Sequence, residues 1–200
     1  MYAAGDFVFY PKGGVFQIAS LSEKIIATQN IPFFDLISND GKTKISIPKQ
    51  NIERVGVRAL LTPDELTAAL EEWAPDSKIQ KLHHKNRKNR FEIFRQSGIF
   101  DEIGIVIVTI HKLISITKAT FEEKRIYEQV RKRLVDEIAI IKELDSKEAE
   151  KFLLAELDQA ILREEKSSDP DDELETEGTS ASETTVESET TTASAEGQDD

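Results

Sequence analysis

At Thr62-Pro63-Asp64-Glu65 the chain changes its hydrophobic period, and no other feature limits the fold as much. Before this point apolar residues alternate in short runs separated by turn residues, as a half-buried sheet requires. The runs are Phe7–Tyr10, Val15–Leu21, Ile25–Ala27 continuing poorly toward Ile31, Phe33–Ile37 and Lys44–Ile47. They are broken by Pro11-Lys12-Gly13-Gly14, Thr28-Gln29-Asn30 and Asn39-Asp40-Gly41-Lys42. Asn, Asp and Gly tolerate positive φ, so the last break signals a hairpin. Five short strands within residues 1–60 predict a small open barrel.

After the switch the pattern is helical. Thr62 can cap a helix, Pro63 suits its first position, and Glu65 can return a hydrogen bond to the Thr62 amide. This helix is expected to reach about Trp73, where Ala74-Pro75-Asp76-Ser77 interrupts it. A basic segment follows, with Phe91 and Phe94 spaced for one helical face and Ser97-Gly98 as its end. Thr120-Phe121-Glu122-Glu123 repeats the capping box and opens an amphipathic helix through Ile126, Val130, Leu134, Ile138 and Ile141. Another helix is expected from Asp145 to Arg163. The run Ile103–Ile110 is rich in β-branched residues that favour a buried strand, but pattern alone does not separate a buried strand from a buried helix.

Composition removes several classes. The chain has no cysteine, which excludes a disulfide-stapled fold and a thiolate metal site. Its longest apolar run, Ile103–Ile110, is far short of the ~20 residues that span a bilayer, so no membrane role is expected. The first residues lack a basic region followed by an apolar one, and a cytoplasmic location is expected. Adjacent His83 and His84 do not share a helix face and have no third ligand at usual spacing, so no metal is expected. Nor is there a nucleophile–base motif, a Walker loop or a dinucleotide fingerprint. No enzyme, cofactor or small-molecule substrate is expected.

The net charge of −12 is unevenly placed. Residues 167–200 hold 12 acids and no Lys or Arg, while the remaining 166 residues balance at 26 of each sign. This acidic Ser/Thr/Glu-rich tail has too few apolar residues to offset ordering entropy and reads as disordered. It serves either as a solubilising appendage or as a tethered competitor for a basic surface. Within the neutral body, residues 78–95 carry Lys78, Lys81, Lys85, Arg87, Lys88, Arg90 and Arg95 against Glu92 alone. Such a run is either a solvated helix face or a polyanion contact. Arg131, Lys132 and Arg133 could extend it, but Glu122, Glu123 and Glu128 favour a surface ion-pair network.

Three passages carry a family resemblance: Gly5-Asp6-Phe7-Val8-Phe9-Tyr10-Pro11-Lys12-Gly13-Gly14-Val15; Ile47-Pro48-Lys49-Gln50-Asn51 with Val55-Gly56-Val57-Arg58; and Ser97-Gly98 before the apolar run. Together they resemble the CarD-like (CdnL) family of bacterial transcription regulators over roughly residues 3–163. The resemblance implies a fold that is α+β by segments: a Tudor-like β-barrel over 1–60, an all-α helical domain over 61–166, with the acidic tail over 167–200 following. It also implies that Ile103–Ile110 is helical.

In function, the resemblance implies a barrel that docks on a lobe of the RNA polymerase β subunit and helices that touch promoter DNA at the upstream edge of the melted bubble. The effect is on open-complex stability. One basic docking position of the family appears as Lys24, whereas the other falls at Ser46, a departure. Ile45, Ser46 and Ile47 can still offer a strand edge for backbone pairing. The family's wedge tryptophan falls at His84, or at His83 with one inserted residue. The sole tryptophan, Trp73, lies too early and reads as a packing residue. Arg87 keeps a family-like Arg, and with Lys85, Lys88 and Arg90 it is expected on phosphate oxygens, giving affinity and salt dependence rather than base reading. The competing reading is an adaptor whose helices never touch DNA.

Overall fold

Strand β1 (Phe7–Tyr10) sends successive side chains to opposite faces, and the two faces meet different cores. Val8 joins Phe16, Ile18, Phe34 and Leu36 in the core of a sheet, whereas Phe9 joins the helices. The computed structural model describes residues 2–167, with side chains through 166. It completes the sheet with β2 (Gly14–Ile26), β3 (Gln29–Ser38), β4 (Lys44–Pro48) and β5 (Arg58–Ala59), all antiparallel in the order β4-β3-β2-β1-β5. Beyond Ser167, the tail expected to be disordered lies outside the described residues.

Two strands differ from the sequence expectation. Ile25–Ala27 is not a separate strand: β2 runs on to Ile26, with a bulge between Ile18 and Ser20, and returns as β3 through a two-residue loop. Ala27 and Thr28 both hold positive φ, 48° and 72°, as a type I′ hairpin turn requires. A β-branched residue there is unusual, so its identity pointed to a wider break. The fifth strand is instead Arg58–Ala59, two residues paired with β1 and too short to show alternation.

Helix α1 (Pro63–Glu72) begins with the expected capping box: Glu65 N donates to Thr62 Oγ1 (3.3 Å) and Thr62 N to Glu65 Oε2 (2.8 Å). A single turn, α2 (Ser77–Gln80), leads to α3 (His84–Ser97), which ends at Gly98 with φ 78°. The segment left open by pattern is the helix α4 (Phe100–Ser115). Asp101 and Glu102 in its first turn complement the helix dipole. Its β-branched residues are buried on several faces, since α2, α3, α5 and α6 all pack against it. Trp73, 5% exposed, lies against Gly104, where a Cβ would stand 2.2 Å from the indole nitrogen. Helices α5 (Phe121–Ile141) and α6 (Ser146–Ser167) complete the bundle. No helix among the described residues is long and apolar enough to cross a membrane.

Sheet and helices form one compact unit through a joint built from the three passages singled out above. Pro11, Gly56 and Gly98 meet there: a Cβ on Gly98 would stand 2.5 Å from Pro11 Cγ and 2.9 Å from Gly56 O. Arg58 crosses the joint, donating from Nε to Gly98 O (2.8 Å) and from Nη1 and Nη2 to Glu137 (2.6 and 3.0 Å). Its guanidinium lies over the rings of Phe9 and Phe100. Arg133 donates to the carbonyls of Pro11 and Lys12 (2.6 and 3.1 Å), so α5 grips the β1–β2 turn.

Candidate functional site

On the sheet, alternation turns Ile45 and Ile47 of β4 toward the core and Ser46 outward. β4 pairs only with β3 and is an edge strand, so one side of its backbone has no strand partner among the described residues. The outward face brings Lys24 and Ser46 together: Lys24 Nζ donates to Ser46 Oγ at 2.8 Å. Between them stands Asp35, which accepts from the Ser46 hydroxyl and lies 3.6 Å from Lys24 Nζ. Hydroxyls of Ser22 and then Ser46 hold the Asp35 carboxyl below its usual range. Lys24 also lies 4.9 Å from the centre of the Phe33 ring.

On the helices, the basic run is far less uniform than its sequence. Arg87 is corrected outright as a surface contact. It is 7% exposed and donates to Glu123 (2.5 and 3.0 Å) and to the carbonyls of Gln80 and Leu82. Those bonds tie the α2–α3 turn to the start of α5. Glu123 is fully buried and would be raised by desolvation, but the Arg87 and Thr120 hydrogen bonds outweigh this and leave its carboxyl below the ordinary range. Lys88 pairs with Glu122 (2.9 Å), and Arg95 with Glu92 (2.6 Å). Acids from α5 thus neutralise part of a charge that looked local in sequence.

Lys78, Lys81, Lys85 and Arg90 remain exposed and make no ion pair among the described residues. Arg90 rests on the Phe94 ring at 4.5 Å. His83 and His84 are exposed at the N-terminus of α3, with ring centres 4.0 Å apart. His83 provides no side-chain cap, and the first turn of α3 holds no acid. Of the second cluster, Arg131 does join an ion-pair network, with Glu128 and Glu150, while Arg133 is committed to the joint. Among the described residues no group of three or more His, Asp or Glu is placed to hold a metal.

Among the exposed apolar residues that sequence reading passed over are Leu82 (40% exposed) and Phe121 (79%). Leu82 lies in the α2–α3 turn and Phe121 is the first residue of α5. A signal for Phe121 was present: it falls off the apolar stripe that starts at Ile126, and the capping box fixes it at the helix start.

The described residues thus combine a sheet with an open strand edge and a bundle that displays cations without carboxylate partners. Residues 69–154 match the family model for the CarD C-terminal domain, a stretch from within α1 to within α6 that contains all of α3. Over those residues the chain matches the CarD-like family, which is in general one of RNA polymerase-interacting, non-catalytic regulators. The sheet lies outside the matched stretch.

Proposed function

We propose that this chain is a non-catalytic regulator of transcription initiation that docks on the RNA polymerase β subunit through residues 1–60 and rests its α3 face on upstream promoter DNA. Lys24, Ser46 and the β4 edge at Ile45 and Ile47 form the polymerase contact, the edge by backbone pairing and Lys24 by charge. The DNA contact uses His83, His84, Lys85, Lys88 and Arg90, with Arg87 acting as the residue that positions them. The observation that carries this reading is the set of exposed cations without carboxylate partners inside the stretch that matches the family.

Regulation follows by linkage. If the α3 face contacts DNA better in the melted complex than in the closed one, the differential affinity shifts that equilibrium, about tenfold for each 1.4 kcal/mol. The joint matters here, because docking energy spent on the sheet reaches the DNA through the contacts that tie sheet to helices.

Burial of Arg87 favours a second reading, an adaptor that binds polymerase and leaves DNA alone. The first test is co-elution of the full chain with bacterial RNA polymerase and with its isolated β lobe at moderate salt. Absence of binding to both defeats the docking proposal. With binding established, Lys85→Ala/Lys88→Ala/Arg90→Ala should retain it and lose the effect on open complexes; an undiminished effect would leave the adaptor.

A further inference from the structure

Lys12-Gly13 belongs to the first passage that carries the family resemblance, yet neither the polymerase contact nor the DNA contact uses it. In the structure it forms one wall of a cleft of about 550 Å³ between the sheet and α5. That volume lies in the range of sites for small molecules. Two further walls are the β3–β4 loop, through Asn39 and Asp40, and α5, through Lys132 and Asp136. Val15 and Phe16 give the cleft an apolar lining. A Cβ on Gly13 would stand 2.5 Å from Phe16 Cε2, so a side chain at position 13 would collide with the ring that lines the cleft.

Its polar groups divide into those already engaged and those left over. Asp40 accepts from the Ser38 hydroxyl and the Lys42 amide, and Arg133 donates to the carbonyls of Pro11 and Lys12. Lys12 and Lys132 are exposed and make no ion pair among the described residues. Asp136 is half-buried and accepts no hydrogen bond among them. Its charged neighbours are Lys132, one turn earlier on α5, and Asp40, and burial pushes its carboxyl above the ordinary value. A carboxylate in that position has two acceptor oxygens that a pair of parallel N–H donors would satisfy. The complementary ligand is flat, carries such a pair on one edge, and ends in an anionic group for the two lysines. Among the four DNA bases guanine alone offers that edge, N1–H beside the exocyclic amine, whereas adenine sets a single amine between acceptor nitrogens.

We propose that this cleft binds a guanine nucleotide, with the base edge on the Asp136 carboxylate and the phosphates on Lys12 and Lys132. None of these residues belongs to the polymerase or DNA contacts proposed above, so the site stands or falls apart from them. The ligand is held by the β1–β2 turn on one side and α5 on the other, next to Arg133, and adds a tie between sheet and helices.

The test titrates the full chain with GDP carrying a fluorescent group on its ribose and displaces that probe with unlabelled GDP, ADP and inorganic pyrophosphate. GDP should compete about tenfold better than ADP, the scale of leaving a charged carboxylate without its donors, and pyrophosphate should compete more weakly still. GDP should also raise the unfolding midpoint of the wild type, as a ligand of the folded state does. Asp136→Asn should lower GDP affinity by about tenfold and leave ADP affinity unchanged. Lys12→Ala/Lys132→Ala should weaken both nucleotides alike, and each variant should still unfold in one cooperative transition. Absence of displaceable GDP binding overturns the proposal. Equal competition by GDP and ADP overturns it too, since the carboxylate then does not read the base. Pyrophosphate competing as well as GDP reduces the cleft to a pair of cations and defeats the nucleotide reading. GDP binding undiminished in both variants puts the ligand elsewhere and defeats the assigned site.

Discussion

Arg87–Glu123 and Arg58–Glu137 are the same chemical pair, each with a fully buried glutamate, yet their carboxyl groups move in opposite directions. Glu123 sits in the first turn of α5, where the helix dipole favours an anion and Thr120 adds a backbone amide to the bonds from Arg87. The net result is a carboxyl held below its ordinary value of 4.5. Glu137 lies near the other end of the same helix, away from any free amide, and Arg58 is its sole hydrogen-bonding partner among the described residues. Burial therefore dominates, and its carboxyl is raised despite Arg58. One pair fixes a surface within the helical part; the other fixes the sheet to the helices at a cost.

The comparison can be broken most sharply at the joint. Arg58→Ala should destabilise the chain by about 3–5 kcal/mol in chemical denaturation, because it strands a buried glutamate with no second donor. A loss below ~1 kcal/mol would mean that the joint is held by apolar packing alone. Arg87→Ala should cost about 3 kcal/mol, less than Arg58→Ala, since Thr120 still serves Glu123. Reversal of that order would refute the account given of the two carboxylates.

Acid separates the pairs by sign. The contribution of Glu123 is present above its unfolded value near 4.5 and is lost as pH falls through the lower folded value. That of Glu137 is present below 4.5 and is lost as pH rises through the higher folded value. Denaturation of Glu123→Gln and Glu137→Gln from about pH 4 to pH 7 should show the wild type gaining on the first variant and losing to the second. Parallel profiles would contradict the opposite shifts. Thr120→Ala, which removes one hydroxyl acceptor from the cap, should cost about 1 kcal/mol. The smallest effect belongs to the exposed face: Lys85→Ala/Lys88→Ala/Arg90→Ala should alter stability by less than ~0.5 kcal/mol while lowering the slope of DNA affinity against salt.

Local signals carried much of this. Both capping boxes form where Thr62 and Thr120 place them, and Gly98 ends α3 in the left-handed region as its position required. Hairpin β2–β3 was read too short because Ala27-Thr28 adopts a turn that neither residue favours. The basic run was legible as charge and illegible as surface. Nothing in residues 78–95 indicates that Arg87 turns inward, because the carboxylate that draws it in lies on another helix.

The sequence by itself determined the switch from sheet to helices, the ends of the capped helices, the charge imbalance and the family passages, since each depends on residues within a turn or a strand of one another. Tertiary structure decided, where hydrophobic pattern did not, that Ile103–Ile110 is helical as the family resemblance implied, because enclosure by neighbouring helices outweighs β-branched propensity. It likewise decided that Pro11, Gly56 and Gly98 make a single joint, and which cations reach solvent. Contacts between residues far apart in the chain set desolvation and charge pairing, and no short stretch of sequence contains both partners.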